Sequence, residues 1–248
     1  MILEIAANSV TSALAAQEGG AGRVELCTAL ELGGLTPSHA QIALAREKLS
    51  VPLYVLIRPR AGDFLYSDLE CETMLRDIEA CAKAGCDGIV LGVLDADGQI
   101  DLPRCRSLIA AAGSMGITFH RAFDLTRDPL SALEDVIALG CERVLTSGAQ
   151  VTAIEGAKLI RHLVELAAGR IAVMPGAGVH AGNIGELIAL TGASEFHASA
   201  KRQYESNMHW QPLSLKDMQD GALCSDVEKV RAIAAVLSDC RFDARKVY

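Results

Sequence analysis

Eight short runs of β-forming residues recur along this chain, and each gap between them carries a helix-like pattern. The runs are Ile2–Ala6, Arg23–Thr28, Leu53–Arg58, Gly88–Val93, Gly116–His120, Arg143–Ser147, Arg170–Met174 and Glu195–Ser199. In the intervening segments apolar residues return at the helical period, as in Cys71, Met74, Leu75, Ile78 and Cys81, and again in Val227, Val230, Ile233 and Leu237. Ser67…Glu70, Thr152…Glu155 and Ser225…Glu228 have the spacing of capping boxes, and Asp128-Pro129 reads as an N-cap followed by proline at the first helical position. Alternating strands and helices imply parallel strands joined by right-handed crossovers. Eight such units in 248 residues is the arithmetic of a closed (β/α)8 TIM barrel, one α/β domain over residues 1–248. The alternative, a doubly wound open sheet, calls for a glycine-rich fingerprint after the first strand, where Ala6-Ala7-Asn8-Ser9 stands instead. No nucleotide cofactor is therefore indicated. The stretch at about 200–223 before the last helix is long for a plain connection and is expected to be a loop, of the kind that serves as a lid or a subunit contact.

Strand parity then sorts the residues. Leu3/Ile5, Val24/Leu26, Val55/Ile57, Ile117/Phe119 and Ile171/Val173 are natural helix-facing pairs, which turns the opposite parity toward the barrel axis. That parity holds Glu4, Glu25, Cys27, Arg58, Thr118, His120, Thr146, His197 and Ser199, mostly near C-terminal strand ends, where barrel active sites are built. Unpaired buried charge is costly, so these groups must pair with one another or meet a ligand. The candidate catalytic set is Glu4, Glu25, Arg58, His120 and His197. Arg58 offers a planar donor fork for an anion, the two histidines can exchange protons near neutral pH, and the two glutamates can act as base or orienting carboxylate. A second anion subsite is expected where barrels often bind phosphate, after strands seven and eight, from Gly176, Ala177, Gly178 and Ser199 together with Arg58. A structural polar plug filling the barrel would use the same residues.

Charge and composition close off other classes. Asp and Glu (31) outnumber Lys and Arg (23), giving −8, so neither a nucleic-acid backbone nor an anionic membrane is an expected partner. No apolar run approaches the ~18 residues of a membrane span. Met1-Ile2-Leu3-Glu4-Ile5 lacks the basic start of a signal peptide, and a cytoplasmic location follows as the expectation. The eight cysteines contain no C-x-x-C, which argues against a zinc framework, and most read as buried thiols. Asp95 to Asp101 superficially suggests a calcium loop but lacks glycine at its sixth position, so Asp97-Gly98 reads better as a hairpin turn. Arg58-Pro59-Arg60 with Gly62-Asp63-Phe64 reads either as a ligand clamp or as a surface Arg–Asp pair.

Several blocks together resemble the CutC copper-homeostasis family. They are Arg23-Val24-Glu25-Leu26-Cys27, Gly33-Gly34-Leu35-Thr36-Pro37-Ser38, Ile57-Arg58-Pro59-Arg60 and Thr118-Phe119-His120-Arg121-Ala122-Phe123-Asp124. Gly92-Val93-Leu94-Asp95, Arg143-Val144-Leu145-Thr146-Ser147-Gly148 and Gly176-Ala177-Gly178-Val179 add to them, and the similarity runs from residue 1 to about 200. The resemblance implies a cytoplasmic TIM barrel, a homo-oligomer with a dimer as the first expectation, and a role in copper homeostasis with Cu(I) as cargo. Cys27 matches the family's strand-two cysteine and is the implied metal ligand, with His120, His197 and Met174 as candidate neighbours. Two functions from different classes stand side by side: a Cu(I)-binding homeostasis factor, and a barrel enzyme or sensor for a small anionic metabolite, phosphorylated or not. A non-catalytic scaffold is the third.

Overall fold

The computed structural model describes residues 1–210 and 221–244. Eight parallel strands, β1 (Ile2–Ala7), β2 (Arg23–Leu26), β3 (Leu53–Leu56), β4 (Gly88–Leu91), β5 (Gly116–Phe119), β6 (Arg143–Thr146), β7 (Ala172–Pro175) and β8 (Glu195–Ala198), pair in the order 7-6-5-4-3-2-1-8. β7 and β8 meet at the seam, so the sheet curls into the expected barrel. Eight helices surround it: α1 (Val10–Glu18), α2 (His39–Lys48), α3 (Asp68–Ala84), α4 (Leu102–Ala112), α5 (Pro129–Ala138), α6 (Ala157–Ala167), α7 (Ile184–Thr191) and α8 (Val227–Ala244).

Local chemistry sets the helix ends. Ser67 and Glu70 close a reciprocal capping box on α3, whose Met74, Ile78 and Cys81 are buried, and Gly85 ends the helix in the left-handed region. Asp128 accepts from the amides of Leu130 and Ser131 at the start of α5. Thr152 and Glu155 bond reciprocally in a turn, with α6 starting only at Ala157. At α8 the expected cap is displaced by one residue. Asp226, not Ser225, accepts from the amide of Lys229, while the Ser225 hydroxyl turns to the Ala6 carbonyl (3.5 Å) and its amide to Ser12 Oγ. The stretch read as a loop at 200–223 also carries strand: β9 (Lys201–Gln203) and β10 (Leu223–Ser225) form an antiparallel ribbon, and 211–220 lie outside the described residues. The Asp97-Gly98 turn is a hairpin, with Leu94 bridging Ile100.

The barrel wall separates two apolar regions. Leu3, Ile5, Val24, Leu26, Val55, Ile57, Ile117, Phe119, Ile171 and Val173 all pack outward against the helices, as their parity requires. Each such side chain contributes ~1.5–3 kcal/mol by leaving water. Inside, Cys27, Tyr54, Leu56 and Val90 form a separate cluster. β6 departs from the expected parity. Arg143 and Leu145 face the axis, which puts Thr146 on the other side, where its hydroxyl bonds Asp124 (2.5 Å).

The floor of the barrel, at the strands' N-terminal ends, is ionic. Arg23, 4% exposed, bonds Glu4 through Nε and Glu195 through Nη2 (2.6 Å), with the Met174 sulfur 3.4 Å from Nη2. Arg143 reaches Glu195 (3.1 Å) and the Thr118 hydroxyl (3.1 Å). Both guanidinium groups lie over the Tyr54 ring, at 5.3 and 4.8 Å, and the Tyr54 hydroxyl donates to Glu142 (2.6 Å). That ring fits only because β4 begins with glycine: a Cβ on Gly88 would lie 2.1 Å from Tyr54 Cε1. Gly88→Ala is therefore expected to lose ~1–3 kcal/mol by overpacking, read as a lower urea midpoint. Shortening the ring in Gly88→Ala/Tyr54→Leu should recover part of that loss, and a double variant no better than the single one would show that the clash is not the cause.

Candidate functional site

The C-terminal ends of the strands surround a cavity of about 300 Å³. Its polar lining comes from Glu25 on β2, Arg58 after β3, His120, Arg121 and Asp124 after β5, and His197 on β8; Ala6, Leu30, Leu56, Phe64, Leu125 and Leu145 supply the apolar part. Four of the five residues expected to be catalytic thus share one space.

The fifth, Glu4, lies beneath it. Glu4 is fully buried, and its oxygens take His197 Nδ1 (2.7 Å) and Arg23 Nε. Burial alone would raise its pKa, but the hydrogen bond from His197 and the charge of Arg23 hold it down at about 2. Burial pushes His197 the other way, yet the hydrogen bond to Glu4 and the charges of Glu25 and Glu4 raise it above its usual range. Glu4 is accordingly an orienting carboxylate for His197, which donates from Nδ1.

Glu25 has the opposite environment. Its nearest cation is His197 Nδ1 at 4.0 Å, and its Oε2 is buried without a hydrogen-bond partner. Burial raises its pKa to about 7, only partly offset by the His197 charge and reinforced by Glu4. A carboxyl poised there can both give and take a proton at neutral pH.

His120 ends β5 and caps the short 3-10 turn Arg121–Leu125 that follows. Its Nδ1 accepts the amide hydrogen of Ala122 (3.2 Å). Burial and the Arg58 charge lower its pKa to about 3, so the ring is neutral and its proton resides on Nε2. That Nε2 is buried without a partner. The ring lies in the space left by Gly92, where a Cβ would be 2.6 Å from His120 Cε1.

Arg58 does not present the free donor fork expected of it. Nη1 donates to the carbonyls of Leu32 (2.9 Å) and Gly34 (2.8 Å) and Nη2 to that of Gly62 (3.0 Å), so the loops after β2 and β3 hold its end. What remains is Nε, buried and unpartnered, with the equally unpartnered hydroxyl of Tyr66 as a neighbour of this guanidinium. Phe64 stacks near both donors, 5.2 Å from the Arg58 guanidinium and 4.8 Å from the His120 ring. Of the two readings of the Arg58–Phe64 loop, Arg60 follows the surface pair, bonding Asp63 (2.9 Å) and Glu70 (2.6 Å), whereas Phe64 enters the cavity.

The glycine segment expected to hold an anion stands behind the cavity wall, where a Cβ on Gly176 would lie 2.5 Å from Leu145 Cδ1 and 3.4 Å from His197 Cβ. Gly176, Ala177, Gly178 and Ser199 do not line the cavity; the Gly176 amide donates to Thr146 O (2.9 Å), and the Ala177 carbonyl accepts from Ala153 (3.0 Å). Cys27 is fully buried among Leu30, Tyr54, Leu56 and Val90. Burial and the charges of Glu25 and Glu31 push its thiol upward, away from the thiolate that binds metal. Among the described residues the one group of three donors able to surround an ion is Glu4, Glu25 and His197, and Glu4 is already committed to Arg23 and His197. These are oxygen and nitrogen donors, whereas Cu(I) favours thiolate and thioether, so the set does not fit that ion.

Arg121 and Asp124 were not singled out as site residues from sequence. Asp124 accepts from the Thr146 and Ser147 hydroxyls and from the amides of Ser147 and Ala149, and it pairs with Arg121 (2.8 Å). The available signal was His-Arg-x-x-Asp directly after a strand, which a 3-10 turn folds back over the mouth.

Fold and site together define a (β/α)8 barrel with an acid–base cavity at its C-terminal mouth. The CutC family model matches residues 1–202, and the chain belongs to the CutC family. It is 58% identical over 236 residues to a family protein CutC of Xylella fastidiosa strain Temecula1, covering 95% of this chain and 88% of that one. It is 44% identical over 244 residues to a mouse protein named copper homeostasis protein cutC homolog, covering 96% and 90%. A crystal structure of CutC from Streptococcus agalactiae superposes with a TM-score of 0.76 at 36% identity, over 79% of this chain and 98% of that one. Thiamine phosphate pyrophosphorylase from Pyrococcus furiosus, at TM-score 0.61 and 14% identity over 96% of each chain, shares the barrel fold.

Proposed function

We propose that this chain serves in the copper homeostasis for which its mouse relative is named, in the cytoplasm, and that its barrel mouth is a binding and acid–base site for a small oxygen-bearing ligand. The family role rests on the names of relatives. The chemistry rests on one observation: Glu25, Arg58 and His120 line one cavity, and each carries a buried polar atom (Oε2, Nε and Nε2) with no hydrogen-bond partner within the protein. Leaving such atoms unpaired costs ~1–3 kcal/mol each, and three in one space are accounted for by a ligand that completes them. Eight unpaired thiols support the reducing compartment.

A thermal-shift series with inorganic phosphate and small carboxylates and ketoacids tests this reading. A ligand completing the three atoms should raise the Tm of the parent by mass action and raise that of His120→Asn much less. No rise with any of them, or an equal rise in both proteins, would overturn it. The reading of Cys27 as a Cu(I) ligand is carried by the family resemblance, and an anaerobic Cu(I) titration against a competing chelator decides it. With the thiol in an apolar cluster, the parent and Cys27→Ala should behave alike; stoichiometric binding lost in the variant would restore copper to this site.

A further inference from the structure

The three unpaired atoms differ in kind. Arg58 Nε and His120 Nε2 are hydrogen donors: the guanidinium is always protonated, and the histidine's other nitrogen is taken up as an acceptor by the Ala122 amide. Glu25 Oε2 is the one atom of the three able to accept. Phe64 packs against both donor side chains, and Glu25 and His197 stand together in the lining of the same cavity. Two donors flanking one ring, with a carboxyl in the lining of the same cavity, are the parts an oxyanion needs when it forms next to a carbon that loses a proton.

Resting on the ligand-binding reading above, we propose that the cavity enolises a small carbonyl compound, with Glu25 as the base and the Arg58 and His120 N–H groups on the carbonyl oxygen. In the step the C–H bond next to the carbonyl breaks and its proton passes to the Glu25 carboxylate. The electron pair forms the new C=C bond, and the carbonyl π pair moves to oxygen, which becomes the enolate held by the two donors. Reprotonation from Glu25 at the same carbon restores the carbonyl compound with that hydrogen exchanged, so no oxidant, reductant or co-reactant is needed. The neutral state of His120 suits this role, since an N–H donor that keeps its proton stabilises the oxyanion without trapping it as an enol.

The lining limits the substrate. About 300 Å³ holds roughly ten non-hydrogen atoms, taking the ~30 Å³ share of a liquid water as the measure. Ala6, Leu30, Leu56, Phe64, Leu125 and Leu145 leave few partners for a many-hydroxyl compound. Arg121, 44% exposed at the rim and paired with Asp124, is the cation an anionic end would meet. The class is therefore a short ketone or ketoacid with an acidic hydrogen beside its carbonyl.

The test is exchange of α-hydrogens for deuterium in D2O, followed by proton NMR with pyruvate, 2-oxobutyrate, 2-oxoglutarate and dihydroxyacetone phosphate as probes, alongside thermal-shift binding of each. At least one probe should bind and exchange at least tenfold faster than without protein. Glu25→Gln should still bind it and lose the enhancement, and His120→Asn should lose at least tenfold. Binding without exchange, or exchange undiminished in Glu25→Gln, overturns enolisation and leaves the ligand-binding reading standing. Absence of binding by all four overturns enolisation, and a further absence of binding by inorganic phosphate and small carboxylates overturns both.

Discussion

Replacing Arg23 with alanine is expected to be the most damaging single change in this protein, lowering its unfolding free energy by about 3–5 kcal/mol. The guanidinium is the shared counter-ion of two glutamates inside the barrel, one fully buried. Removing it leaves Glu4 charged with only His197 opposite, or forces it to take up a proton and release His197 from its fixed orientation. Against a total stability of ~5–15 kcal/mol, such a loss brings the chain near its unfolding threshold. Urea denaturation at pH 7 measures it. Arg23→Lys tests the cause: a single ammonium cannot satisfy both carboxylates in the guanidinium's geometry, so it should recover only part of the loss. A fall under 1 kcal/mol for Arg23→Ala would mean that the floor network contributes little.

The second large effect has the opposite sign. Glu25→Gln should stabilise the protein above pH 7, by about 1–3 kcal/mol, while removing the ionisable carboxyl. Glu25 titrates at about 7 in the folded protein rather than at the ordinary 4.5, because burial disfavours its charged form. A carboxyl whose folded pKa stands above its unfolded one binds its proton more tightly when folded. Its contribution is thus most favourable below about 4.5 and falls as pH rises through 7. The glutamine variant has no charge to bury, so its advantage should grow from near zero at pH 5 to its full value by pH 8. Part is returned because the Glu25 charge also supports the protonated His197. Thermal melts of both proteins across pH 5–8 give the comparison, and parallel curves would show that Glu25 ionises as freely as in the unfolded chain.

The barrel was legible in sequence because each strand announces itself twice, by β-forming residues and by a parity that separates helix-facing from axial positions. The mouth set followed from the same parity: Glu25, Arg58, His120 and His197 do meet. What parity does not contain is depth along the axis. Glu4 and Glu25 look equivalent on their strands, yet the stagger of β1 against β2 sets Glu4 beside Arg23 and leaves Glu25 in the cavity. Nor does parity say what a long side chain bonds. The donors of Arg58 go to loop carbonyls whose positions no strand pattern fixes. β6 misled for a related reason: Thr146 looked like one more polar axial residue, whereas it is Arg143 that the acids at the floor draw inward. The floor of Arg23, Tyr54, Arg143 and Glu195 was missed because attention to C-terminal strand ends passes over charges at the starts.

Two side chains fasten the rim in sectors. Arg58 stitches the connections after β2 and β3 to each other, and Asp124 does the same for those after β5 and β6. Segments clasped in this way are expected to move together, so that a change at one reaches the other. Sequence drift in any one of these connections should then be felt by its stitched neighbour, so that relatives of this barrel change by pairs of loops, not by single ones.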